Sequence, residues 1–334
     1  MAALLATALT VAACGSDSSD STSEGKTALT LYNAQHDFVA EMVSAFTKET
    51  GIKVNMRNGK DLEMANQIVQ EGDRSPADVF LTENSPAMTL VDNKVGFAPI
   101  AGSTLDQVPA RYRPANGRWV GFAARGTVLA YNKDDVRASD LPTSIIDLAR
   151  PKWKGKVGYA PTGADFQAIV SAVLQLKGPS ATKAWLEGLK ANGVAFEGNS
   201  RVMKAVDDGQ VAAGISYHYY WYQDQAEGGD NSSNTKLHFF GQQDPGAFVS
   251  VSGAGVLASS KLQEEAQQLV RFLTGKVGQQ VLADDNTALE YTVASDVPAN
   301  ELLKPLAELD APAVDPSTLN SQEVITLMQD AGIL

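Results

Sequence analysis

Two adjacent phenols, Tyr219 and Tyr220, together with His36 and Glu83, are the side chains in this chain whose types converge on one chemistry. A free phenol ionises near pH ~10, so tyrosine becomes a ligand only beside a concentrated positive charge that strips its proton. Phenolate, carboxylate and imidazole suit a hard, highly charged cation, and ferric ion meets that description better than zinc. A zinc transport site would draw on several histidines, whereas this sequence has three in all, His36, His218 and His238. Taken singly, each residue has a plainer explanation. A lone histidine after a strand caps a helix or faces solvent, a single strand-end glutamate is solvated, and the aromatic run 217–222 packs beneath a loop.

Joint placement is what favours the first reading. From Ala28 the sequence alternates short apolar runs with amphipathic stretches, the mark of an α/β fold with mostly parallel strands. Residues 28–33 are expected as a strand, and 36–50 as a helix with Phe38, Val39, Met42, Val43 and Phe46 on one stripe and Gly51 at its cap. A strand at 52–57, a helix at 62–70 with Leu62, Ala65, Ile68 and Val69 inward, and a strand at 77–82 complete the unit. A similar unit follows: strand 156–160, helices 165–176 and 181–189, strand 194–197, helix 201–208 and strand 211–217. Two such units imply two lobes. Apolar runs 119–131 and 248–257 are the candidate crossings, helix 262–273 follows, and the Pro- and Asp-rich stretch 296–316 is expected over the outside. The expected division is 28–126 with 250–300 in lobe 1, and 127–249 with 301–334 in lobe 2. Parallel α/β sheets bind ligands at the carboxyl edge of their strands. His36 follows the first strand, Glu83 the third, and Tyr219 and Tyr220 end the strand in AAGISYHYY, so the four fall on that edge, two per lobe.

The remaining composition narrows the setting. At 334 residues and 44% apolar content, the chain is sized for two compact domains rather than three. A formal charge of -12 without a long basic run argues against nucleic acid and against anionic membrane surfaces. The apolar stretch 2–13 is about half the length a bilayer span needs. It ends in Ala12, Ala13 and the only cysteine, Cys14, which fits a lipoprotein signal whose cysteine is lipidated. Residues 15–27, polar and low in complexity, read as a disordered tether. No G-x-S-x-G elbow, P-loop, dinucleotide fingerprint or H-E-x-x-H pair is present, so an enzyme is disfavoured. The rival is a binding protein for another solute: a polyamine, thiamine, phosphonate or oxyanion, with the tyrosines caging a cationic amine.

The motifs YNAQH at 32–36, DVFLTE at 78–83 and YYWY at 219–222, with the softer PTGADFQ at 161–167 and VSGAGVL at 251–257, resemble those of the bacterial ferric-ion-binding proteins of ABC importers. The resemblance covers nearly all of the chain beyond the tether. It implies a type II periplasmic-binding-protein fold, two lobes with mostly parallel sheets joined by hinge strands, closing around Fe3+. It also implies that His36, Glu83, Tyr219 and Tyr220 match the family's iron ligands. The protein is then expected to be an extracytoplasmic, lipid-anchored monomer that passes iron, free or as a chelate, to a permease.

Many members of that family also hold a synergistic anion, such as phosphate or carbonate. Here Thr162, Gly163 and Ala164 lie where a strand turns into a helix, and Asn199 repeats the arrangement; such positions are anion sites or plain N-caps. Two departures bear on the anion. Asp165 brings a carboxylate into the first helical turn facing it, and Tyr217 stands where the family commonly has asparagine. Either replaces the anion with protein oxygen or repels it. Arg125 is placed to compensate charge or to pair with a carboxylate.

Overall fold

The computed structural model describes residues 28–334; the expected signal segment, Cys14 and tether lie outside the described residues. The chain begins with β1 (Leu29–Asn33), α1 (Phe38–Thr50), β2 (Val54–Asn58), α2 (Asp61–Glu71), β3 (Val79–Leu81), α3 (Ser85–Lys94) and the single turn α4 (Gly102–Leu105). β2 and β3 flank β1 in parallel. α1 buries the expected stripe of Phe38, Val39, Met42, Val43 and Phe46. It stops at Gly51, whose φ of 75° lets its N–H reach Thr47 O. In α2 the buried apolar residues are Met64, Ala65 and Ile68, while Leu62 and Val69 are only half-buried. The helix is rotated because its stripe packs against Ala87, Met88 and Val91 of α3 as well as against the sheet.

β4 (Val120–Asn132) is buried along its whole length and leads to β5 (Val157–Tyr159), α5 (Ala164–Lys177), α6 (Pro179–Asn192) and β6 (Val194–Ala195). Then come α7 (Asn199–Asp207), β7 (Ala213–Tyr217), α8 (His218–Ala226), β8 (Thr235–His238) and β9 (Val249–Val256). α9 (Gln263–Thr274), α10 (Lys276–Asp284) and α11 (Ser321–Asp330) complete the order. The strands run β2-β1-β3-β9-β4-β7-β5-β6, with β8 beside β4. Pairing is parallel among β1, β2 and β3 and among β5, β6 and β7, and antiparallel wherever β4 or β9 takes part.

β4 pairs with β9 through Gly126 and with β7 from Thr127 onward, so it changes lobe between these two residues. One core gathers Leu31, Phe46, Leu81, Phe122 and Leu269; the other gathers Leu129, Phe166, Trp185, Ile215 and Met328. The C-terminal segment is shared between them, which differs from its expected assignment to one lobe. Leu303 and Leu309 are buried in the first core, whereas Val314 packs against the second and Leu319 is buried in it. Space explains it: glycine at 126 leaves room for the Leu309 side chain beside the crossing.

Candidate metal centre

The carboxyl edge of the first sheet delivers His36 just past β1, and Glu83 and Asn84 just past β3. On the other side, β7 ends at Tyr217. Tyr219 and Tyr220, expected at a strand end, instead occupy the first turn of α8, where Tyr217 with extended backbone is the N-cap. The helical turn stacks the two phenol rings, centroids 4.2 Å apart, and aims both hydroxyls into the cleft.

All four residues singled out by type converge. His36 Nε2 lies 3.0 Å from Glu83 Oε1, which accepts from Tyr219 Oη at 3.1 Å. Tyr219 Oη in turn lies 3.3 Å from Asp165 Oδ2, which also accepts from Tyr220 Oη at 3.1 Å. Five donor atoms from five side chains therefore form one continuous run. Ligands held about 2.0–2.1 Å from an octahedral ion are about 2.9 Å apart along each edge. The run is close to that spacing before any ion is considered. No three His, Cys, Asp or Glu side chains among the described residues are grouped to hold a metal by themselves; the run of donor atoms includes the two phenols.

Asp165, in the first turn of α5, takes the middle of the cleft. Its Oδ1 accepts from Asn84 Nδ2 at 2.9 Å and its Oδ2 from Asn199 Nδ2 at 2.8 Å. Of the residues considered for an anion, Asn199 thus reaches the centre through Asp165. Thr162 is exposed, Gly163 is the N-cap of α5, and Ala164 is its first residue. Tyr217 is fully buried beneath the site, its hydroxyl 3.5 Å from Asn84 Oδ1 and from Asp165 O.

Arg125 lies on β4 beside the crossing point and is 0% exposed. Its Nη1 is 2.8 Å from Glu83 Oε1 and 3.8 Å from Asp165 Oδ1, and its Nη2 is 2.8 Å from Glu290 Oε2. This buried cation sets the local ionisation. Burial alone would raise the Glu83 pKa, but Arg125 and then His36 outweigh it and hold it at about 2. Burial, followed by repulsion from Glu83, lifts Asp165 to about 6 against the pull of Arg125. Burial disfavours charge on His36, yet the neighbouring carboxylates of Glu290 and Glu83 prevail and raise it to about 10. Tyr219 and Tyr220 are pushed well above the ordinary tyrosine value, first by burial and then by Asp165 and Glu83. Both are neutral phenols until a strong cation arrives.

Residue type gave no notice of several supporting groups. Asp61 accepts from the backbone N–H of Glu83 and of Asn84, both at 2.8 Å, and so shapes the turn that carries Glu83. Asn84 had only its place next to Glu83 as a signal, and Glu290 only its apolar flanks, Leu289 and Tyr291. At the mouth, a solvent-open pocket of about 370 Å³ is lined by His36, Asp37, Tyr219, Tyr220, Gln223 and Glu227 among others.

A two-lobed α/β frame whose polar side chains meet in the cleft, beside strands that cross between lobes, is that of a solute-binding protein. Residues 74–312 match the family of bacterial extracellular solute-binding proteins. The chain is 56% identical over 307 residues to the Fe(3+)-binding periplasmic protein of Serratia marcescens, covering 92% of this chain and 90% of that one. It is 38% identical to the major ferric iron-binding protein of Neisseria meningitidis serogroup B, covering 91% and 93%. Among solved structures, iron-bound HitA from Pseudomonas aeruginosa superposes with a TM-score of 0.85 at 42% identity, covering 91% and 99%. The chain belongs to the bacterial extracellular solute-binding proteins and, among them, to the bacterial ferric-ion-binding proteins.

Proposed function

We propose that this chain captures Fe3+ between its lobes and delivers it to the permease of an ABC importer. The ion would be held by His36 Nε2, Glu83, and the phenolates of Tyr219 and Tyr220. The carboxylate of Asp165 would supply the oxygen that an added phosphate or carbonate supplies in many relatives. The observation that carries the reading is the unbroken run of five donor atoms at near-octahedral spacing. Charge supports it as well. Three protons, from two phenols and one imidazolium, leave as one trivalent ion enters, so the charge of the buried site does not change.

Residues 28–126 with 250–300 and residues 127–249 form the two bodies that close about β4 and β9, and the C-terminal segment ties them together. Lipid attached at Cys14 would keep a monomeric receptor at the outer face of the cytoplasmic membrane. Titration of iron against a competing chelator tests the function, with putrescine and thiamine as alternative cargo. Tight 1:1 ferric binding that needs no added phosphate or carbonate is expected. Binding of an amine in preference to iron would overturn the proposal. Asp165→Asn should make iron binding depend on added anion.

A further inference from the structure

Glu290 lies in the loop after α10, outside every motif discussed so far, and is 0% exposed. Its two oxygens are used unequally. Oε2 accepts from Arg125 Nη2 at 2.8 Å, with Gln35 Nε2 at 3.4 Å. Oε1 has no hydrogen-bond partner and stands 3.4 Å from His36 Nδ1. A buried carboxylate oxygen without a donor is a rarity that calls for a reason, and the imidazole N–H is the group within reach.

The backbone is built to aim this side chain. Tyr291 exchanges two hydrogen bonds of 2.9 Å with Ala124, the neighbour of Arg125 on β4. Leu289 is held at φ 49°, a left-handed conformation that a leucine adopts only under constraint. Gln35 closes the frame. Its Oε1 accepts from the His36 backbone N–H at 2.9 Å, and its Nε2 donates to Ser252 Oγ at 2.7 Å. Ser252 also accepts from Arg125 Nη2 at 3.0 Å.

We infer that Glu290 is a positioning residue for the histidine ligand: its Oε1 holds the Nδ1 proton of His36, so that Nε2 presents its lone pair to the metal. The inference rests on the iron reading above. An imidazole whose second nitrogen is free exists in two tautomers and rotates about its bond to Cβ. Only one tautomer in one orientation coordinates through Nε2. A carboxylate fixed on the far side selects both. Arg125 completes the device by pinning Oε2, so that Glu290 cannot swing into the cleft and compete for the ion.

The test uses wild-type protein labelled with ¹⁵N-histidine and loaded with Ga3+, a diamagnetic hard trivalent ion. Three histidines make the long-range proton–nitrogen spectrum assignable. The expected result is His36 with Nε2 shifted by the metal and Nδ1 carrying a proton; an unprotonated or metal-bound Nδ1 overturns the inference. In chelator competition, Glu290→Gln should weaken Fe3+ binding by about 10- to 100-fold. In a His36→Ala background the same substitution should change affinity by no more than roughly twofold, because its route of action is gone. Equal losses in both backgrounds would make Glu290 a mere counter-charge for Arg125. If Glu290→Gln does not fold, the wild-type spectrum decides alone. Should metal leave His36 unmoved while the visible tyrosine–iron band still forms, only this inference falls. If neither response occurs, the iron reading itself is wrong.

Discussion

At the scale of residues, selectivity follows from protons. Tyr219 and Tyr220 are stacked, buried and faced by two carboxylates, so ionising either without compensation is unfavourable. A trivalent cation returns more Coulomb energy for the loss of both protons than a monovalent or divalent one. Removing either hydroxyl, as Tyr219→Phe or Tyr220→Phe, should lower ferric affinity by more than about 100-fold, beyond the roughly 10- to 100-fold that outer-sphere partners are worth. The metal-free protein binds protons on His36, Tyr219 and Tyr220 that the loaded one lacks, so affinity must fall as pH falls. Raising the pH through 6 also completes ionisation of Asp165, whose pKa is about 6, and strengthens binding further. Proton-release measurements should give close to three protons per ferric ion above that point, and more, toward four, below it, where Asp165 must lose its proton as well.

The four side chains that meet in the cleft, His36, Glu83, Tyr219 and Tyr220, were legible in the sequence because phenol, imidazole and carboxylate near strand ends are a chemical signal in themselves. Asp165 was legible as an oddity, a carboxylate where an anion was expected. Asp61, Asn84 and Glu290 were not. They act through contacts such as Asn84 to Asp165 and Arg125 to Glu290, which join distant parts of the chain and carry no local pattern.

At the scale of elements, α5 and α8 hold three of the five donors. α5 is fixed by Phe166, which packs on Tyr159 and Trp185 with ring centroids 5.3 and 6.0 Å away. Phe166→Ala should cost about 3–5 kcal/mol of stability through the cavity it leaves, read by chemical denaturation. Because Asp165 is its chain neighbour, iron affinity should fall too. The α1 stripe was readable from periodicity, since burial along one face repeats in the sequence, and the two crossing runs from their unbroken apolar stretches, since both are buried almost throughout. The start of α8 was not. Its aromatic run HYYWY has strand-like composition, and its rings split between Tyr219 and Tyr220 at the cleft and His218 and Tyr222 beside Tyr291 and the first core, a division no local pattern announces.

At the scale of the molecule, β4 runs through both lobes, the chain returns to the first where β9 begins at Val249 opposite Gly126, and the C-terminal segment adds a third tie, from Leu309 in one core to Leu319 in the other. Closure about such a frame is a rigid-body rotation, so small-angle scattering should show a smaller radius of gyration when Fe3+ is added. The charge of -12 favours approach of a cation, and added salt should slow iron capture. Substitution Cys14→Ser should release the protein from membranes into the soluble fraction if a lipid there is its anchor.

The central claim is that two ionised tyrosines hold the cargo, and ferric phenolate absorbs visible light. Stepwise addition of Fe3+ to the wild-type protein at neutral pH should raise a visible charge-transfer band that saturates at one ion per chain. The band should be absent from the Tyr219→Phe, Tyr220→Phe double variant under the same conditions. A colourless iron complex of the wild type, or a band that survives in the double variant, would contradict the account.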